Sequence, residues 1–198
     1  MRKSLWLICL MMLAAGVSTA KAQIPGLDVH LAARVGYFTP LGIVGEDASD
    51  RETKLSQGLG FGGSIEFDIP ASPINVRANV DATFGRSLEV EGLEVPGTDV
   101  DLIAFTGDLV FRPIPRLVLA QPYILAGAGF KRYSAEGAFD DQTDFTGHLG
   151  IGADMNLAGI SLLVEVSDYI SSLEPVDGSD SRLQNDVFIM VGLRIGIL

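Results

Sequence analysis

Two histidines, His30 and His148, are the only imidazoles in the 198-residue chain, and each has acids close by. Asp28 lies two positions before His30, while Asp144 and Asp154 stand at even spacings from His148. A histidine oriented by a carboxylate can activate a serine for acyl transfer, provided nucleophile and base meet within hydrogen-bond reach. No serine stands out as the third member. The stretch GLGFGG at 58–63 matches G-x-G-x-x-G, a dinucleotide pattern that needs a strand-to-helix turn. Acids gather in four further stretches: Glu46, Asp47, Asp50 and Glu52; Glu89, Glu91 and Glu94; Glu136, Asp140 and Asp141; Glu174, Asp177 and Asp180. Such clusters can hold Ca2+ or Mg2+, but none has EF-hand spacing.

The segments that carry these residues decide between the readings. Residues 74–84, INVRANVDATF, alternate without a slip: Ile74, Val76, Ala78, Val80, Ala82 and Phe84 against Asn75, Arg77, Asn79, Asp81 and Thr83. Period 2 of this regularity predicts a strand with one wet face. The pattern recurs over 27–39, 58–69, 74–86, 101–112, 122–133, 144–157, 160–170 and 186–197. In 122–133 the outward set is read as Ile124, Ala126, Ala128 and Phe130. GLGFGG therefore falls inside a strand, where its glycines make room for bulky neighbours. His148 falls mid-strand on the polar face, where it reads as one member of a hydrogen-bonded network. No catalytic residue, cofactor site or metal site is expected, and the acidic stretches read as solvated loops. Loop 87–97 also alternates and is expected to extend its hairpin beyond the strands.

Connections alternate in length. Long loops at 40–57, 87–99, 134–143 and 171–185 alternate with short turns at 70–73, 113–116 and 158–159. The chain opens with Met1-Arg2-Lys3, an apolar run Leu5–Leu13 and Ala20-Lys21-Ala22. Residues 1–22 thus read as a secretory signal, removed after export, with 23–198 as one domain. Cys9, the only cysteine, lies within that signal, so the mature chain is expected to hold no disulfide. Arg2, Lys3 and Lys21 account for three of the 14 basic residues, leaving 11 against 25 acids, a net charge of −14. That balance argues against nucleic acid as a partner. Mean hydropathy is +0.33, yet no mature segment supplies the ~18 apolar residues of a membrane helix. Hydrophobic, exported and helix-free is the composition of a transmembrane β-barrel.

The fold class expected is all-β: an eight-stranded antiparallel up-and-down transmembrane barrel, long loops outside the cell and short turns in the periplasm. The apolar face must then meet lipid, because a midplane Arg or Lys facing lipid costs about 2–4 kcal/mol. Arg34, Glu66, Arg77, Asp81, Asp108, His148, Asp154, Glu165 and Arg194 are expected to form an interior polar network, with Arg112, Lys131 and Asp68 on the same face. Buried charges need partners, and both signs are present. A packed plug is favoured over an ion path.

The signal, the eight amphipathic strands and the glycine-rich stretches PYILAGAGF (122–130) and GHLGIGADM (147–155) resemble the small outer-membrane barrel family typified by the barrel domain of outer membrane protein A. The resemblance covers the whole mature chain. It implies residence in the outer membrane bilayer of a Gram-negative-type bacterium after Sec export. It also implies periplasmic chaperones, insertion by the barrel assembly machinery, and a monomer. That machinery reads the last strand; VFIMVGLRIGIL has the alternation but ends in Leu198 rather than an aromatic residue. The function expected is non-enzymatic, a structural or surface-interaction role through the acidic loops. Two alternatives stay open: a narrow pore or small-solute conduit, and, third, a lipid-modifying enzyme.

Overall fold

The structure is a computed structural model that describes residues 28–42, 45–46, 52–90, 92–95, 97–114, 120–136, 141–157, 160–173 and 182–197. In chain order the strands are β1 (Asp28–Pro40), β2 (Gly45–Glu46), β3 (Glu52–Leu55), β4 (Gly58–Asp68), β5 (Ile74–Arg86) and β6 (Leu88–Val90). They continue as β7 (Leu93–Glu94), β8 (Asp99–Phe111), β9 (Ala120–Glu136), β10 (Gln142–Leu157), β11 (Ile160–Leu173) and β12 (Arg182–Gly196). The eight long strands close into one antiparallel barrel, in the order β1-β12-β11-β10-β9-β8-β5-β4. Each pairs with its neighbours in sequence, and β12 returns to β1 with Val35 opposite Val191. Closure leaves no open edge, so the ladder satisfies the backbone of every strand, the condition for crossing hydrocarbon.

Side-chain parity follows the pleat. In β5, Ile74 and Val76 are exposed while Asn75, Arg77, Asn79 and Asp81 are buried. The parity of β9 is the one expected, with Ile124 and Phe130 exposed and Tyr123 and Lys131 buried. Apolar side chains thus cover the outer wall, and most of the charge lies within. Aromatic pairs decorate the outside toward the loop end, Phe130 against Phe145 edge-on at 6.1 Å and Phe61 near Phe84 at 6.4 Å. At the turn end, Ser72 Oγ accepts from the Ile74 N–H at 3.0 Å and closes the link from β4 to β5.

The loop end carries a feature the alternation did not reveal. Strands β2, β3, β6 and β7 form a second, four-stranded sheet that joins the first long loop to the second. The hairpin β6–β7 is the extension expected of 87–97; its pairing with β3, Leu55 opposite Leu88, is new. A break of register between Thr83 and Arg86 precedes it. Gly85 takes φ +64° there, a conformation open to glycine, and its N–H bonds Asp101 Oδ1 at 2.7 Å. The signal segment 1–22, turn 158–159 and most of the acidic loop positions lie outside the described residues.

Candidate functional site

The lumen holds the charged residues, and strand register decides which of them meet. β5 sets Arg77 beside Glu66 of β4 on one side and Asp108 of β8 on the other. At the turn end Glu66 is the hub. It accepts Arg77 Nε at 2.9 Å, Arg112 Nη1 at 2.6 Å and Arg194 Nη2 at 3.0 Å. Asp154 bridges the same two outer arginines, Arg112 at 2.9 Å and Arg194 at 3.0 Å. Asp68 accepts Asn75 Nδ2 at 2.6 Å and lies 2.9 Å from His30 Nε2. Arg77 and Arg112 also flank the Tyr123 ring, each guanidinium carbon 4.9 Å from its centroid.

One level nearer the loops, Glu165 of β11 is the hub. It receives Arg34, Arg77 Nη1 at 2.6 Å and the Tyr123 hydroxyl at 2.7 Å. Arg34 also donates to Asn79 Oδ1 at 3.1 Å and Asp81 Oδ1 at 2.9 Å. Asn79 donates in turn to Asp108. Asp108 lies 2.9 Å from His148 Nδ1, and Thr106 Oγ1 lies 3.2 Å from the same nitrogen. The His148 ring stacks on Tyr169 at 4.1 Å with 8° between planes, and the Tyr169 hydroxyl donates to Asp81. Strands β5 and β11 stand four places apart in the ring of eight. Arg77–Glu165 and Tyr169–Asp81 therefore tie opposite walls together at two heights.

The third level changes character. Lys131 donates to Asp186 at 2.5 Å, and Tyr133 and Gln184 complete that carboxylate's shell. Around and above it Phe38, Val100, Leu102, Ala104, Phe188 and Met190 pack as an apolar cluster, joined by Leu55 and Leu88 from the loop sheet. Phe38 and Phe188 meet at 5.1 Å, and Tyr169 meets Phe188 edge-on at 5.6 Å. Toward the turns the interior is mostly charged, beside a small apolar group of Val110, Tyr123, Leu125 and Leu163; toward the loops aromatic and aliphatic side chains surround the Lys131–Asp186 pair, so the packed interior is polar in part and apolar in part. The same inward parity that carries Arg34 carries Phe38 four residues later.

Every residue of the expected network lies in the lumen: Arg34, Glu66, Arg77, Asp81, Asp108, His148, Asp154, Glu165 and Arg194 are all buried. The structure adds members beyond the expected set: Asn75 and Asn79, which the alternation already put on the wet face, with Tyr169 and Asp186 on the same inward parity, and Tyr123 and Tyr133. An inward tyrosine reads as filler until its hydroxyl is seen to meet a carboxylate. Glycines supply the room. A Cβ on Gly62 would meet Asp81 Oδ1 at 2.0 Å and Arg34 Nε at 3.0 Å, and one on Gly127 would meet Asp108 Oδ1 at 2.0 Å. GLGFGG is thus strand β4 with space held open on its inner face, and the element that follows it is strand β5, not a helix. His148 is fully buried and bonded to Asp108 and Thr106, not to a serine. Of the acidic loop residues, Asp141 pairs with Arg132 at 2.7 Å in solvent, and Glu94 is exposed.

A search of curated proteins finds no significant match. Among solved structures the chain is similar to Neisserial surface protein A, with a TM-score of 0.56 at 12% identity over 86% of this chain and 97% of that one. It is similar to the outer membrane protein OprG from Pseudomonas aeruginosa, TM-score 0.56 at 14% identity over 84% and 95%. A major outer membrane protein from Thermus thermophilus gives 0.55 at 11% identity over 87% and 100%. At these identities the likeness is one of fold. The family model described as the outer membrane protein beta-barrel domain matches residues 7–194. Closed eight-stranded topology, an apolar outer wall, a charged lumen and that match agree: the chain belongs to the outer membrane β-barrel family and resides in the outer membrane.

Proposed function

We propose that this protein is a non-enzymatic barrel with a closed lumen, acting as a structural or surface-interaction element through its loop end. The observation that carries the reading is the bridging of opposite walls by Arg77–Glu165 and Tyr169–Asp81 beneath an apolar cap. An eight-stranded barrel has an interior just wide enough for side chains to fill. Here Asp81, Lys131, His148 and Phe38 are fully shielded from solvent at successive heights, which supports a lumen without a wet path for ions. Chemistry inside such a lumen lacks access, and His148 serves as a spacer in the polar lattice. The loop sheet and the acidic loops are then the contact surface. Removal of residues 1–22, escort by periplasmic chaperones, insertion by the barrel assembly machinery reading β12, and a monomeric state complete the reading.

Planar-bilayer conductance of the folded protein tests it, with an Arg77→Ala, Asp81→Ala double variant beside the wild type. The closed lumen predicts a silent wild type and intermittent conductance once the two bridges are removed. Steady wild-type conductance, changed in ion selectivity by the double variant, would replace this reading with that of a narrow pore.

A further inference from the structure

Lys131 stands apart from the other lumen cations. Arg34, Arg77, Arg112 and Arg194 each bond two or more acceptors in the charged lattice. Lys131 is the one buried lysine among the described residues, and it lies beside Tyr133 and Tyr169 of the aromatic cluster. An arginine guanidinium is permanently charged, whereas a lysine that gives up its proton is a nucleophile. Its partner is equally distinctive. Glu66 and Glu165 each bind two or more arginines. The Asp186 carboxylate instead takes hydrogen bonds from Lys131, Tyr133 and Gln184. Lys131 is thus the single cation on Asp186, and one proton passed between them leaves two neutral groups.

The atoms are arranged for condensation. Lys131 Nζ lies 2.5 Å from Asp186 Oδ2, and the Tyr133 hydroxyl donates to that same oxygen. Gln184 Nε2 donates to the other oxygen, Oδ1, at 3.1 Å. Neither Lys131 nor Asp186 has exposed side-chain surface. In water, hydration holds an ammonium and a carboxylate as separate ions and favours hydrolysis of an amide between them; a dry interior does neither. Strands β9 and β12 stand three places apart in the ring, so the pair bridges the lumen.

We propose that Lys131 and Asp186 join in an intramolecular isopeptide bond once the barrel has closed. The ammonium first passes a proton to Oδ2, giving an amine and a carboxylic acid. Nζ then attacks Cγ, while Gln184 Nε2 stabilises the charge growing on Oδ1. Tyr133 delivers its hydroxyl proton to Oδ2 and takes one from Nζ. The Cγ–Oδ2 bond breaks, the Cγ–Nζ bond stays, and one water leaves. Of the three ammonium protons, one remains on the amide and two leave in the water, so no oxidant or activating group is required. Well-oriented groups held in contact reach effective concentrations of about 10⁵–10⁸ M. The product staples β9 to β12 in a chain expected to hold no disulfide, and it is independent of whether the lumen conducts.

Intact mass spectrometry of the full-length barrel, purified from membranes and then denatured, tests the bond. Wild type is expected to weigh one water less than its amino-acid sequence from the observed N-terminus. Trypsin should fail to cut after Lys131 and should leave a branched peptide joining Lys131 to Asp186. Lys131→Arg, which keeps a cation beside Asp186 but offers no amine, is expected to show the full mass. Tyr133→Phe is expected to close the bond about a hundredfold more slowly when chains from inclusion bodies are refolded from urea. The heat-modifiable gel shift checks that each variant is folded. A folded wild type of full mass overturns the proposal and leaves Lys131–Asp186 an ion pair. So does a loss of water that persists in Lys131→Arg, which would place the dehydration elsewhere. A wild-type rate in Tyr133→Phe overturns the assignment of the proton relay to Tyr133.

Discussion

The two ends of the lumen solve the same packing problem with opposite chemistry. Toward the turns, Glu66, Asp154 and Glu165 are each shared by two or more cations. Toward the loops, Phe38, Leu102, Phe188 and Met190 exclude water by bulk, around the buried pair Lys131–Asp186. A charged lattice is directional: each member has a place set by its partners, and removing one leaves another unpaired in a medium of low dielectric. An aromatic cluster is set by volume, and it tolerates exchange among side chains of similar size. The turn end therefore fixes geometry, and the loop end seals it.

Substitutions can break that contrast. Arg77→Leu is expected to have the largest effect, a loss of about 3–5 kcal/mol in urea unfolding from lipid, because Glu66 and Glu165 each lose a partner. Adding Glu165→Leu should restore part of it, since an apolar pair needs no counter-charge; a double variant weaker than the single would show that geometry, not charge balance, sets the cost. Phe188→Leu at the loop end is expected to cost about 1 kcal/mol by the same measurement, as a size-tolerant exchange. A loss as large as that of Arg77→Leu would erase the distinction between the halves. Arg132→Ala should move stability by less than about 1 kcal/mol, because its pair with Asp141 is more than half exposed on both sides.

The barrel was legible because a membrane imposes a strict period. Residues 74–84 alternate without exception, since every outward position meets lipid and every inward one meets the lumen. The candidate network was legible as a set of positions for the same reason, but not as pairs. That Arg34 meets Glu165, and that Tyr123 threads between Arg77 and Arg112, depends on barrel diameter and stagger, which no local stretch encodes. The aromatic seal was hidden by composition, because Phe38 and Phe188 are apolar residues on an inward row that elsewhere carries charge. Pairing of Leu55 with Leu88 joins two loops whose lengths suggested only exposure.

The hubs of the lattice join residues far apart in the chain. Arg34 meets Glu165 across 131 positions, and Glu66 meets Arg194 across 128. Neither pair exists until β12 has docked on β1, so a growing sheet carries these two contacts unmade until the last seam zips, while pairs such as Glu66–Arg77 form between neighbouring strands. Assembly is then cooperative at its final step. A chain halted one strand short keeps Arg77 and Arg112 on Glu66 but lacks Arg194, and Asp154 is left with Arg112 alone.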